Sequence, residues 1–174
     1  MMLLAVVMMA LTASASASAS VDPLDPAKGG NVQCYMPDEQ RRTCRSIASY
    51  VQISSSTYAN KAMVLIAKEG PVILETVTPV ILKAGAVCGF IRGEDIRAGK
   101  LYIAQGLLPA SKATPLLAQL AQSSSWINGV EICTTYVPTK DGLTAKVAYD
   151  GEYQENSDQR VKWVRPGDGY SVAP

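Results

Sequence analysis

Histidine is absent from the 174-residue chain. With it go the commonest general base, the commonest zinc ligand and the one side chain whose ordinary pKa lies near neutrality. Ser-His-Asp triads, Cys-His dyads and His-ligated metal sites are therefore excluded. An excess of charge is missing too, since 16 Lys and Arg stand against 15 Asp and Glu. Nucleic acids are recognised through a field of one sign, so no nucleic-acid partner is expected. The four cysteines, Cys34, Cys44, Cys88 and Cys133, contain no C-x-x-C, which disfavours a thioredoxin-like redox motif and a structural zinc site. No S-x-x-K, G-x-S-x-G or Gly-rich phosphate loop occurs, so no cofactor, metal or catalytic residue is assigned.

What is present begins with an address. An uninterrupted apolar run, Met1 to Leu11, passes into the small-residue stretch Thr12 to Ser20, the hydrophobic and cleavage regions of a secretory signal. Ala17-Ser18-Ala19 fits the A-x-A pattern and places a signal peptide over 1–19, although no Lys or Arg precedes the run. The run is too short to cross about 30 Å of hydrocarbon. Later apolar stretches are broken by Lys68, Glu75 and Lys83, so no membrane span is expected in the mature chain. A periplasmic or secreted location follows. An even cysteine count behind a signal reads as two disulfides formed in an oxidising space. Three connectivities are open. Cys34 and Cys44 flank a Pro37-Asp38 turn, whereas Cys88 and Cys133 each sit in an apolar, strand-like run, which favours Cys34 with Cys44 and Cys88 with Cys133.

Residues 20–31, with Pro23, Pro26, Gly29 and Gly30, read as a flexible leader, and 32–174 as a single globular domain. Ala62 to Ala67 and Val72 to Val77 flank Lys68-Glu69-Gly70-Pro71, a hairpin signal, with Pro79 ending or bending the second strand. Val80 to Ile91 supplies a further apolar segment, and Gln105-Gly106 centres a small hairpin over Leu101 to Leu108. Val130 to Val137 and Leu143 to Tyr149 flank Asp141-Gly142, the strongest hairpin signal in the chain. Arg160 to Arg165 alternates, with Val161 and Trp163 on one face. The principal helix is placed over 115–123, with Thr114 as N-cap and Pro115 at the favoured first position. A second, short helical segment is placed around Asp38 to Arg45. These signals add up to an α+β fold: a mainly antiparallel sheet, one principal helix and stabilising disulfides.

Three groups of side chains invite a chemical reading. Glu75 and Glu131 interrupt apolar strand faces, and with Asp95 they are the candidates for carboxylate chemistry if they converge in a pocket. Solvated strand-end carboxylates are the plainer reading. Asp150, Glu152, Gln154, Asn156 and Asp158 form a period-2 run of oxygen-bearing side chains, but Glu155 stands where a calcium loop needs its glycine. The densest mix of Arg, Lys and aromatic residues, Arg160, Lys162, Trp163, Arg165 and Tyr170, is the candidate binding surface, although the alternation equally places Trp163 in the core.

Cys34 to Cys44, Glu75 to Val80, Ala86 to Gly89, Glu131 to Thr134 and Gln159 to Pro166 together resemble segments of small exported proteins of alphaproteobacteria. That resemblance implies export and brings no activity, ligand or catalytic residue with it. The expectation is a non-enzymatic binding module whose partner is an envelope or extracellular protein or other surface component. The alternatives are a carboxylate-dependent hydrolase of cell-wall or extracellular polymer and a secreted hydrolase inhibitor.

Overall fold

A computed structural model describes residues 22–174; the signal peptide expected over 1–19 lies outside the described residues. Eight strands form the body of the molecule: β1 Val32–Tyr35, β2 Ser46–Gln52, β3 Thr57–Ala67, β4 Val72–Lys83, β5 Ala86–Phe90, β6 Glu131–Thr139, β7 Gly142–Tyr149 and β8 Gln159–Val164. Each pairs antiparallel with the next, and β8 returns to β1 with Val32 opposite Val164. The result is a closed up-and-down barrel with no free edge in the ring.

This corrects the α+β expectation. The protein is mostly β, and its longest helix is an attachment rather than a layer. The hairpins at 68–71, 105–106 and 141–142 are legible in the sequence, but closure depends on a β1–β8 pairing between residues some 130 positions apart, for which no local pattern exists. Type I′-like turns make two of the tight connections. Ala84 and Gly85 have φ of 51° and 80°, and Ala104 and Gln105 have φ of 47° and 67°, the backbone twist that matches flanking strands. Pro79 does not end its strand, because β4 runs on to Lys83. On its second edge β4 pairs β5 through Val80–Lys83 and the strand Lys100–Ile103 through Val72–Glu75. Pro79 stands between those two partners, where a residue without an N–H is tolerated.

Among the described residues α1 Asp25–Lys28 precedes β1, and α2 Gly93–Arg97 and α3 Ala110–Ser123 lie in the excursion between β5 and β6. Residues 22–31, read from the sequence as part of a leader, are instead pinned to the barrel. Leu24 is 0% exposed, and with Ala27 it joins the interior cluster of Ala48, Tyr50, Tyr58, Val80 and Val87. Pro26 lies in the first turn of α1, a position that favours proline. Asp22 clamps this segment by accepting from the Leu24 N–H at 2.9 Å and pairing with Lys28 at 2.7 Å.

Helix α3 starts at Ala110, five residues before the expected boundary, and Pro115 lies within it. Ala113, Leu117 and Ala121 form the buried i, i+4, i+8 stripe, and the first two pack on Leu74 and Leu101. Burial of that face outweighs the one backbone bond that proline removes. The short helix expected around Asp38 to Arg45 does not form. Asp38 accepts from the N–H groups of Gln40 and Arg41, and its backbone pairs with Thr43, a turn that delivers Cys44 to Cys34.

The structure pairs Cys34 with Cys44 and Cys88 with Cys133. Cys34, Cys44 and Val164 form a cluster outside the barrel wall, covered by Tyr170 and by the two-stranded pairing of Thr43–Cys44 with Ser171–Val172. Cys88 and Cys133 face each other directly across β5 and β6, with Cα atoms 4.0 Å apart. Among the described residues no helix is long and apolar enough to cross a membrane.

Candidate functional site in the barrel interior

Strand alternation sends Gln33 and Tyr35 of β1 to the interior, together with their register partners on the adjoining strands, Ala48 and Trp163 opposite Gln33 and Val161 opposite Tyr35. Eight-stranded barrels have interiors just wide enough to be filled by side chains or to hold one small molecule. Here apolar filling is interrupted by a hydroxyl cluster. Gln33 is 0% exposed, and its Oε1 lies 2.8 Å from the Tyr50 hydroxyl, 2.9 Å from that of Tyr35 and 3.1 Å from that of Tyr136. The Tyr35 and Tyr136 hydroxyls are themselves 2.6 Å apart.

Counting protons resolves the arrangement. Each phenol has one proton and a carbonyl oxygen has two lone pairs. Tyr50 donates to Oε1; of Tyr35 and Tyr136, one donates to the other, and the acceptor of that bond donates to Oε1. Both lone pairs of Gln33 Oε1 and all three phenolic protons are then engaged. Among the described residues two buried polar atoms remain unpartnered next to this cluster's strands: Gln33 Nε2 has no acceptor and Asn60 Oδ1 has no donor. Asn60 lies opposite Tyr50 on β2 and opposite Thr78 on β4. Orphaned buried polar atoms are costly, of order 1–3 kcal/mol each.

Burial pushes the Tyr35 and Tyr50 phenols well above the ordinary range, reinforced by their neighbouring hydroxyls, and burial raises Tyr136 as well. All three therefore stay neutral at physiological pH and serve as hydrogen-bonding groups, not as bases or nucleophiles.

A cavity of about 170 Å³ adjoins the cluster, toward the end at which β5 leaves the barrel. Its polar wall is Tyr35, Tyr50, Tyr136, Asn60, Thr78 and Thr134; its apolar wall includes Val80, Val87, Ile132 and Phe90. Among the described residues none that lines it carries a charge. A larger hollow of about 630 Å³ lies between α2 and α3. Among the described residues none of its buried side-chain polar atoms is unpartnered: Arg92 is bidentate on Asp95 at 2.8 and 3.1 Å, and Asn128 Oδ1 accepts from the Gly93 N–H. The barrel cavity, inside the closed ring and walled by neutral hydroxyl and amide groups opposite apolar side chains, is the better candidate site.

The carboxylates singled out in the sequence are held apart, each by its own cation. Glu75 pairs with Lys100 and accepts from the Tyr102 hydroxyl, both at 3.1 Å. Burial works to raise its pKa, but those bonds outweigh it and hold the carboxyl below its ordinary value. Glu131 pairs with Lys83 at 3.0 Å, and Asp95 with Arg92. Glu131 also lies beside Cys88 and Cys133, but both sulfurs are bonded to each other and offer no thiolate. In the 150–158 run Asp150 accepts from the Glu131 N–H, and Asp158 accepts through Oδ2 from Lys146 and the Tyr153 hydroxyl, while its buried Oδ1 has no partner among the described residues.

The candidate surface is split by the barrel wall. Trp163 packs on the interior cluster, its ring centroid 6.5 Å from that of Tyr50. On the outer side Lys162 is held by Glu39 at 2.8 Å, Arg165 by Asp168 at 3.2 Å, and Arg160 reaches the Pro37 carbonyl. Tyr170 covers the Cys34–Cys44 disulfide. The residues that sequence reasoning missed are Gln33 and Asn60 together with Tyr35, Tyr50, Tyr136, Thr78 and Thr134. In an alternating strand a polar residue marks the wet face, and for Gln33 and Asn60 the only contrary signal was that each stands beside tyrosines with the same period: Gln33 with Tyr35, and Asn60 with Tyr58. No protein-family model, curated protein or solved structure matches this chain.

Proposed function

We propose that this protein is an exported, non-enzymatic binding module that holds a small molecule inside its barrel. The observation that carries the reading is a closed barrel whose interior keeps an uncharged cavity of about 170 Å³, walled by Tyr35, Tyr50, Tyr136, Asn60, Thr78 and Thr134 on one side and apolar side chains on the other. Concave sites with a mainly apolar wall and a few convergent polar groups are the usual form of small-ligand sites. Binding is favoured over hydrolysis because Glu75, Glu131 and Asp95 are ion-paired separately and the interior phenols are kept neutral. A small surface component is favoured over an envelope protein because Trp163 is turned inward and the charges around it are paired within the molecule.

Export is supported by the apolar leader with its Ala17-Ser18-Ala19 site and by two disulfides, which form and persist in oxidising compartments. Native mass spectrometry of protein recovered from periplasm or medium tests both halves. The expected species begins between Ser18 and Val21 and carries a small-molecule adduct that a cavity-filling Thr134→Leu variant lacks. An intact Met1 on cytosolic protein would overturn export. An adduct-free protein whose unfolding temperature does not respond to small-molecule extracts would overturn binding.

A further inference from the structure

The outer wall of the barrel has an apolar face that the interior cavity does not explain. Val51 is 68% exposed, Ile53 63%, Val77 55%, Phe90 48% and Ile81 41%. Register makes neighbours of residues from four strands. Val51 stands opposite Ala59 and Ala59 opposite Pro79, while Ile81 stands opposite Thr57 on one side and Cys88 on the other. The alternate positions Tyr50, Tyr58 and Val80 are turned into the interior cluster. We propose that this face is where a second copy of the chain docks, giving a two-fold dimer in which β2 to β5 of each barrel pack sheet on sheet.

Area supports an interface. The exposed fractions leave an apolar patch of roughly 500 Å², in the upper part of the ~300–600 Å² that the largest patch on a monomer reaches. A standard interface covers about 800 Å² per partner, about 65% of it apolar where copies of one chain meet. The patch thus supplies the apolar centre of one such surface. Its rim is polar, as interface rims are: Lys61 opposite Val77, the Lys83–Glu131 pair at 3.0 Å next to Ile81 and Phe90, and the exposed turn Ser54 to Ser56.

Charge and shape select a second copy as the occupant. The charged side chains of β2 to β5 are Lys61, Glu75 and Lys83. Glu75 is buried against Lys100 and Lys83 is held by Glu131, which leaves Lys61 at the edge. An acidic or basic partner, or an anionic membrane, would find almost nothing to pair with there. A neutral apolar surface is its own complement, as a two-fold interface requires. Val51, Ile53, Val77 and Ile81 are β-branched, and such side chains on a pleated wall interdigitate with a like surface about 10 Å away, as in a β-sandwich.

Sedimentation equilibrium of the exported, disulfide-bonded protein tests the proposal. A dimer with a dissociation constant of about 10 μM or tighter is expected, since interfaces of standard size range from micromolar to picomolar. Val51→Lys and Val77→Lys, each made singly, should raise that constant at least about tenfold while leaving the monomer's unfolding temperature unchanged, because they set like charges against each other across the two-fold axis. Val77→Thr should weaken the dimer in the same direction should a lysine variant not fold. Leu116→Lys, at an exposed position of α3 outside the face, should leave the dimer intact. Isotope-filtered NMR on mixed labelled and unlabelled protein should show contacts between copies at the Val51, Val77 and Ile81 methyls. A protein that stays monomeric at about 1 mM, ten times the dissociation constant of even a weak 100 μM dimer, would overturn the proposal. So would a dimer that Val51→Lys and Val77→Lys leave unchanged, or a monomer whose Val51 and Val77 methyls respond to lipid vesicles, which would give the face to another occupant.

Discussion

Tyr35 and Tyr136 are separated by 101 positions in sequence, yet their hydroxyls meet 2.6 Å apart inside the barrel. They come from β1 and β6, strands that are not neighbours in the ring, so the contact exists only because the barrel is closed. The proton of one is held by the other, and Gln33 Oε1 terminates the chain. A double-mutant cycle of Tyr35→Phe and Tyr136→Phe should therefore show a coupling of at least about 0.5 kcal/mol in chemical denaturation, as expected for residues in one hydrogen-bond network. Gln33→Ala should cost more than either, about 2–4 kcal/mol, because it removes the common acceptor and opens a void. Additive Tyr effects would show that the network is not formed in solution.

The buried phenols also tie stability to alkaline pH. Their folded pKa values lie above the unfolded value of about 10. Below that pH both states hold the protons and the stabilisation is fully present. As pH rises above about 10 the unfolded chain releases protons that the folded barrel keeps, so stability falls with rising pH. Unfolding midpoints measured between about pH 8 and pH 11 should decline only in the upper part of the range. The Tyr35→Phe/Tyr50→Phe/Tyr136→Phe protein should decline less, and an equal decline in both would contradict the assignment.

Trp163 separates core from surface by measurement. Its ring packs on the interior cluster beside Tyr50, so Trp163→Ala should cost about 3–5 kcal/mol through the cavity it leaves. Arg165 is solvent-exposed, and Arg165→Ala should stay within about 0.5 kcal/mol. An unchanged unfolding midpoint for Trp163→Ala would return this residue to the surface.

The two disulfides constrain loops of different length. Cys34–Cys44 spans a separation of 10 residues and Cys88–Cys133 one of 45. In the chain-entropy picture these restrict the unfolded chain by about 3 and about 4 kcal/mol respectively. Replacing Cys88 and Cys133 together by Ala should lower stability more than the corresponding change at Cys34 and Cys44. Non-reducing peptide mapping checks the pairing, and a peptide linking Cys44 to Cys88 would refute it.

Much of the local structure is legible in the sequence. Lys68 to Pro71, Gln105-Gly106 and Asp141-Gly142 each mark a hairpin that forms, because turn chemistry and period-2 alternation act over a few residues. The alternation around Val161 and Trp163 likewise identifies an inward and an outward face of β8. Cysteine spacing points to the pairing that the structure contains. The start of α3 is misplaced because Pro115 carries a strong local signal for a first helical position, whereas burial of Ala113 against the barrel's appended hairpin extends the helix past it.

Local pattern thus determined the hairpins at 68–71, 105–106 and 141–142 and the alternation of β8, but not the strands Val32–Tyr35 and Ser46–Gln52. Tertiary structure alone decided that eight strands close into a ring, because Val32 and Val164 must meet at the cost of ordering the whole chain between them. Closure in turn reverses the meaning of polarity. On an open sheet Gln33 and Asn60 would face water, and their amides would be satisfied there. Inside a ring whose opposite wall is only a side chain away, Gln33 is buried and must draw on tyrosines from β1, β2 and β6, and the cavity those tyrosines wall becomes the candidate binding site.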